Sequence, residues 1–147
     1  MHVPHNTRVV VVDGRKLLMF RNEGDATALN LVVESAEERI NPADRDQKTD
    51  AAGRSSSPQG AAQSSLGEVD FHQQEEDRFA AETAALLKQG ALANDYEKLI
   101  VVAPPKTLGE LRKHYHKEVS DRLLGELHKD LTGHPVPEIE KALLAAD

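Results

Sequence analysis

The sequence predicts a single α/β domain spanning residues 1–147. It is expected to hold a mixed sheet, an antiparallel meander at the N-terminal end and flanking helices. Three observations carry that expectation. Residues 7–13 and Leu99-Ile100-Val101-Val102-Ala103 are short, almost continuously apolar runs rich in β-branched side chains, the pattern of strands covered on both faces. Turn residues separate the first of these runs from two further apolar runs at residues 16–22 and 29–35, as in a meander. A long amphipathic helical pattern lies between the two buried runs, which suits a parallel pair joined by a helical crossover. At 147 residues one core is expected. Such a chain buries about two thirds of the surface it exposes when unfolded.

In chain order, Thr7-Arg8-Val9-Val10-Val11-Val12-Asp13 reads as a central strand, and Asp13-Gly14 as a two-residue hairpin turn. Lys16-Leu17-Leu18-Met19-Phe20-Arg21-Asn22 is the antiparallel partner, Glu23-Gly24-Asp25 turns the chain again, and Leu29-Asn30-Leu31-Val32-Val33-Glu34-Ser35 is the third strand. Residues 41–67 are rich in Asp, Arg, Gln, Gly, Ser and Ala, with Leu66 as the one large apolar residue. A stretch with so little to bury is expected to be a flexible loop. Asp70 then offers a helix cap with Gln73 three residues on, and the helix is expected to run to about Gln89 and stop at Gly90. His72, Glu76, Phe79, Thr83 and Leu86, with Leu87 beside them, form the stripe that turns to the sheet.

Pro104-Pro105 ends the run at residues 99–103, after which Thr107 is placed to cap a helix with Glu110 at the reciprocal position. A second short helical piece is expected over residues 116–122. Leu123-Leu124-Gly125-Glu126-Leu127-His128 fits either the end of that helix or a further strand, and the strand is favoured. Gly133-His134-Pro135 breaks the chain. Pro137 then starts a closing helix whose inner face is Ile139, Ala142 and Leu143.

Composition narrows the function classes. Apolar residues make up 39% and charged residues 29%, below and slightly above ordinary usage, as expected of a chain with a polar stretch outside its core. Three Phe, two Tyr and no Trp supply few platforms for stacking the bases of a single strand. The absence of Cys excludes disulfides, thiolate metal centres, iron–sulfur clusters and cysteine nucleophiles. Met1-His2-Val3-Pro4-His5 carries no basic region followed by a long apolar stretch, and no apolar run approaches the roughly 18 residues of a membrane span. A cytoplasmic chain without membrane contact is the expectation. A net charge of −7 disfavours DNA and anionic lipid, although a local basic patch still acts within about 8–10 Å.

The candidate site follows from topology. Lys106 and Thr107 come directly after the carboxyl end of a buried strand, where α/β sheets place ligands, and the helix start there offers free N–H groups to an anion. Arg112, Lys113 and Lys117 add positive charge, so these five residues are the candidates for binding a phosphate or an RNA backbone. His72 and Glu76, one turn apart on a helix face, are a possible polar site. His114 and His116 point roughly 200° apart on a helix and cannot share an ion. No His-Glu-x-x-His pattern is present, and neither a metal nor a cofactor is expected. Glu75-Glu76-Asp77 beside Asp70 read as ordinary dipole partners of a first helical turn. No nucleophile elbow, phosphate-binding Gly loop or dinucleotide fingerprint appears, so the sequence assigns no reaction.

Three stretches together carry a resemblance. They are Pro4-His5-Asn6-Thr7 leading into Val9-Val10-Val11-Val12-Asp13-Gly14-Arg15, Ala103-Pro104-Pro105-Lys106-Thr107-Leu108-Gly109-Glu110-Leu111-Arg112, and His116-Lys117-Glu118 through Lys129-Asp130-Leu131-Thr132-Gly133-His134-Pro135. With Asp70-Phe71-His72 and Glu75-Glu76-Asp77-Arg78-Phe79-Ala80, they resemble the bacterial host attachment protein family over residues 4–144. That family is similar in fold to the middle domain of archaeal and eukaryotic class 1 release factors and of Pelota. The resemblance implies a binding or regulatory module needed indirectly for attachment to host surfaces, with a protein partner. The alternative it implies is a ribosome- or tRNA-associated factor that holds RNA backbone through residues 106–117. In release factors a loop bearing Gly-Gly-Gln precedes a long helix. Here the corresponding stretch reads Ser57-Pro58-Gln59-Gly60-Ala61-Ala62-Gln63, and no catalytic role carries over to Gln59 or Gln63.

Overall fold

The computed structural model describes the backbone of residues 1–39 and 58–147, and the side chains of all of these except residues 58–70. Five strands form one mixed sheet: β1 Arg8–Val12, β2 Lys16–Asn22, β3 Leu31–Glu38, β4 Leu99–Ala103 and β5 Leu123–His128, in the order β3-β2-β1-β4-β5. β1 pairs antiparallel with β2, and β2 with β3, which is the expected meander. β1 pairs parallel with β4, and β4 with β5. The ambiguous stretch before His128 is therefore a strand.

Each strand of the central pair shows its side chains to two cores. Val10, Val12, Leu99, Val101 and Ala103 face one side, where α1 (Pro58–Leu92), α2 (Pro105–Arg112) and α3 (Lys117–Arg122) bring Phe79, Leu87, Leu108, Leu111 and Val119. Val9, Val11, Ile100 and Val102 face the other, where α4 (Val136–Ala145) brings Ile139 and Leu143 and the N-terminal arm brings Val3. The stripe expected on the long helix is borne out in its later turns: Phe79, Thr83 and Leu87 are buried and Leu86 packs beside them. Ala80, Ala84 and Ala91 complete that face.

Four local expectations need correction. α1 starts at Pro58, so residues 58–67 are helical where a loop was expected, and Asp70 lies inside the helix rather than capping it. Proline is favoured in a first helical turn, where its missing N–H costs nothing. This part of the helix lacks the apolar stripe that marks a helix in sequence. Residues 41–57 of the expected loop lie outside the described residues.

The helix also passes through Gly90 to Leu92. Its left-handed C-terminal residue is Asn94, with φ of 57°. Asn94 N–H donates to Ala91 O at 3.1 Å and Asp95 N–H to Gly90 O at 2.9 Å, the paired bonds of a Schellman end. Gly90 is needed for another reason: a Cβ there would sit 2.9 Å from Cε1 of Tyr96.

At the first hairpin, Asp13 N–H donates to Lys16 O at 2.9 Å, which puts Gly14 and Arg15 rather than Asp13 and Gly14 at the corner. No described glycine has positive φ, so the expected turn type is not formed. The Asp13 carboxylate holds this corner by accepting from the N–H groups of Arg15 and Lys16, at 2.8 and 2.7 Å. Finally, β3 begins at Leu31, two residues later than expected. The chain before it is bent by Asp25, whose carboxylate accepts from Thr27 N–H and Ala28 N–H.

The N-terminal arm before β1 and the turn between β2 and β3 meet on Asn22, which is completely buried. Its amide nitrogen donates to the carbonyls of Val3, Pro4 and Asp25, and its amide oxygen accepts from Gly24 N–H and Asn30 N–H. Replacement by Ala strands carbonyls and N–H groups in a dry site. Asn22→Ala is expected to cost about 3 kcal/mol in urea denaturation, and an unshifted midpoint would remove Asn22 from this role. At Gly90, Ala gains about 1 kcal/mol of helix propensity but meets a ring fixed by the bond from Tyr96 Oη to Leu87 O at 2.6 Å. Overpacking of this kind costs about 1–3 kcal/mol. Gly90→Ala is therefore expected to be destabilising in the same assay, and a stabilised variant would contradict the close approach.

Candidate functional site

The candidate site stands at the carboxyl end of β4. Pro104 is extended, with φ of −59° and ψ of 153°, and Pro105 opens α2. The helix thus begins two residues before Thr107, which is an early helical residue and not its cap. No side chain caps α2, and its first turn carries no acidic residue. The first main-chain bond of the helix runs from Leu108 N–H to Pro104 O at 2.9 Å. The N–H groups of Lys106 and Thr107 come before it and have no main-chain acceptor among the described residues. These are the orphan donors that make a helix start receptive to anions.

The cations gathered around this start divide into two groups. Arg112 is committed: its Nη2 and Nε reach Glu126 Oε1 at 2.6 and 3.0 Å, and Tyr115 Oη donates to Glu126 Oε2 at 3.1 Å. Lys113 is paired with Glu110 at 2.9 Å, and that bond raises its pKa. Lys106 and Lys117 are exposed and in no ion pair among the described residues. His116 is the cap of α3, its Nδ1 accepting from Glu118 N–H at 3.0 Å. The sequence pointed to five residues as one cluster. The structure leaves Lys106, Thr107 and Lys117 with unspent charge or donors and ties Arg112 and Lys113 to carboxylates.

His72 and Glu76 are half-buried on α1. Glu76 reaches the turn after β1, where a Cβ on Gly14 would lie 2.6 Å from its Oε1. His72 meets the Phe71 ring edge-on at 6.4 Å. Asp13, at the end of β1, is a residue that sequence reasoning had used only for a turn. Besides its two N–H donors it accepts from Thr132 Oγ1 at 2.7 Å, across 119 positions of sequence. Among the described residues no group of three His, Asp or Glu is arranged to hold a metal ion.

The opposite, amino end of the central strands carries a cleft of about 340 Å³, lined in part by His5, Asn6, Arg21, Asn94, Tyr96 and Lys98. Tyr96 lies near the guanidinium groups of Arg8 and Arg122, whose carbons are 5.1 and 5.9 Å from the ring centroid. Neither this cleft nor the Glu126 knot was visible in the sequence, since each joins elements far apart in the chain.

A buried parallel β1–β4 pair, a long helix packed across one face and α2 rising directly from β4 define an α/β domain built on a mixed five-stranded sheet. The sequence profile described as Bacterial archaeo-eukaryotic release factor family 12 matches residues 6–143. The chain belongs to that family. No curated protein matches it. Among the described residues no helix is long and apolar enough to cross a membrane.

The two tyrosines test the local environments. Burial pushes the Tyr96 phenol up to about 12, and burial together with the Glu126 carboxylate pushes Tyr115 higher still. Both folded-state values exceed the ordinary value near 10, so both neutral phenols favour the fold. That contribution is complete below about pH 10 and is lost as pH rises towards 12 and beyond. Ultraviolet titration of the native chain should show no phenolate forming near pH 10. A full tyrosine equivalent titrating there would overturn the buried placement of one ring.

Proposed function

We propose that this chain is a ribosome- or tRNA-associated release-factor-like domain that holds RNA backbone at the carboxyl end of β4. The family match over residues 6–143 is the observation that carries the reading. The uncapped start of α2 supports it, because two N–H groups without a main-chain acceptor among the described residues and an exposed Lys106 belong to the same first turn, a setting that suits a phosphate. Lys117 supplies a second exposed cation at the start of α3. Arg112 and Lys113 are positioned by Glu126 and Glu110 and act as part of the scaffold. Peptidyl-tRNA hydrolysis is not included, since the sequence contains no Gly-Gly-Gln. The resemblance to host attachment proteins adds a cellular consequence: in a cytoplasmic module of this kind, loss of RNA or partner binding would alter attachment to a host surface indirectly.

Sedimentation of lysate through sucrose gradients at low and moderate salt tests the reading. The native protein is expected in the ribosomal fractions at low salt and at the top of the gradient at higher salt. Lys106→Glu with Lys117→Glu should leave those fractions at every salt concentration, and each lysine lost should lower the salt slope of purified RNA binding by about one. Recovery of the native protein only at the top of the low-salt gradient would refute ribosome association.

A further inference from the structure

The geometry points to β3 as a docking edge for an extended, basic peptide that adds to the sheet as a sixth strand. Among the described residues β3 closes one side of the sheet and pairs only with β2. Every residue after Leu31 is exposed, including Val32 and Val33 at 36% and 51%. Edges in soluble proteins are guarded by charged side chains, Lys above all, by Pro, by bulges or by a covering element. β3 has no Lys and no Pro, and its guards are Glu side chains and one bulge, which a basic partner would neutralise.

The backbone is poised for such pairing. Leu31 N–H points away from β2, since it donates to the Glu140 carboxylate at 2.8 Å, while Arg39 N–H points back to Arg15 O at 2.7 Å. Between them the ladder shifts by one residue: Met19 pairs with Ser35 and Phe20 with Val33, leaving Glu34 as a bulge. Alternation in this register directs the N–H groups of Val33, Ala36 and Glu38 outward. Glu140 thus covers the first outward donor, and among the described residues no main-chain acceptor meets those of Val33, Ala36 and Glu38.

Charge selects the occupant. β3 carries Glu34, Glu37 and Glu38 and no cation. Glu34 is offset by Arg8 and Arg21, at 3.4 and 3.7 Å. Glu37 and Glu38 are exposed and in no ion pair among the described residues. A second copy would bring a charge of −7 against another of −7. In a strand of alternating Lys and apolar residues, the Lys row meets Glu37 on one face while the apolar row reaches Val33 and Ala36 on the other. Main-chain bonds supply the affinity and these side chains the selectivity, as in strand addition generally.

The probe is a fluorescent peptide of alternating lysine and valine, matched in length to β3 and followed by anisotropy and by amide hydrogen exchange. Binding is expected to weaken with salt and to slow exchange at Val33, Ala36 and Glu38. Ala36→Pro removes one outward donor without touching the bonds to β2, and Glu37→Lys with Glu38→Lys reverses the charge. Each is expected to weaken binding about tenfold or more. The proposal is overturned if the native chain does not bind or if protection appears on other elements. It fails equally if folded Ala36→Pro binds undiminished, or if the native chain sediments as a dimer that protects the same amides. Should Ala36→Pro fail to fold, the charge reversal, which leaves the backbone unchanged, decides the matter.

Discussion

The structure depends on the lateral pairing of β1 with β4, two strands with no water on either face. Val9 to Val12 and all five residues of β4 are fully buried, so neither strand can sit at an edge or on a solvated face. Each must be roofed on both sides. Helices α1, α2 and α3 roof one face, while α4 and the N-terminal arm roof the other. β2 and β5 must flank the pair and so seal its main-chain groups. The positions of the functional elements follow from that demand. The carboxyl end of β4 has to open into a helix that returns over the sheet, and Pro104-Pro105 makes the change of direction within two residues.

That constraint was legible because it is written in consecutive residues. Val9-Val10-Val11-Val12 and Leu99-Ile100-Val101-Val102 show no polar alternation, and this alone identifies central strands. The helical stripe from Phe79 to Leu87 was equally direct. Ends were less legible. Gly90 looked like a stop because glycine often ends helices, but there the missing side chain makes room for Tyr96, and the chain stops at Asn94 instead. Thr107 and Asp70 looked like caps because their residue types suit that role, yet a proline begins each helix earlier in the chain.

The candidate site was legible in position and less so in charge state. That Lys106 follows directly on a buried strand is what the structure shows. The carboxylate beside Arg112 was not legible, because Glu126 comes from β5, 14 positions further along, whereas Glu110 stands three positions before Lys113 on the same helix. Tyr115 and Thr132 were passed over for the same reason, since a hydroxyl that locks a carboxylate carries no local sequence signal. Release-factor kinship thus coexists with a cluster of cations of which two, Arg112 and Lys113, stand beside carboxylates.

The long helix gives the domain a mechanical property as well as a packed face. With 35 residues at 1.5 Å each, α1 is about 52 Å long. Its described buried side chains fall within residues 79–91, near its C-terminal end. The preceding 21 residues of the helix reach back about 30 Å from that anchor. A tilt of about 10° at the anchor displaces the far tip by about 5 Å. Geometry alone would make so long a helix magnify any change of angle at Ala80 and Ala84, in the cluster they share with Val10 and Val101, by the time it reached Pro58 about 30 Å away.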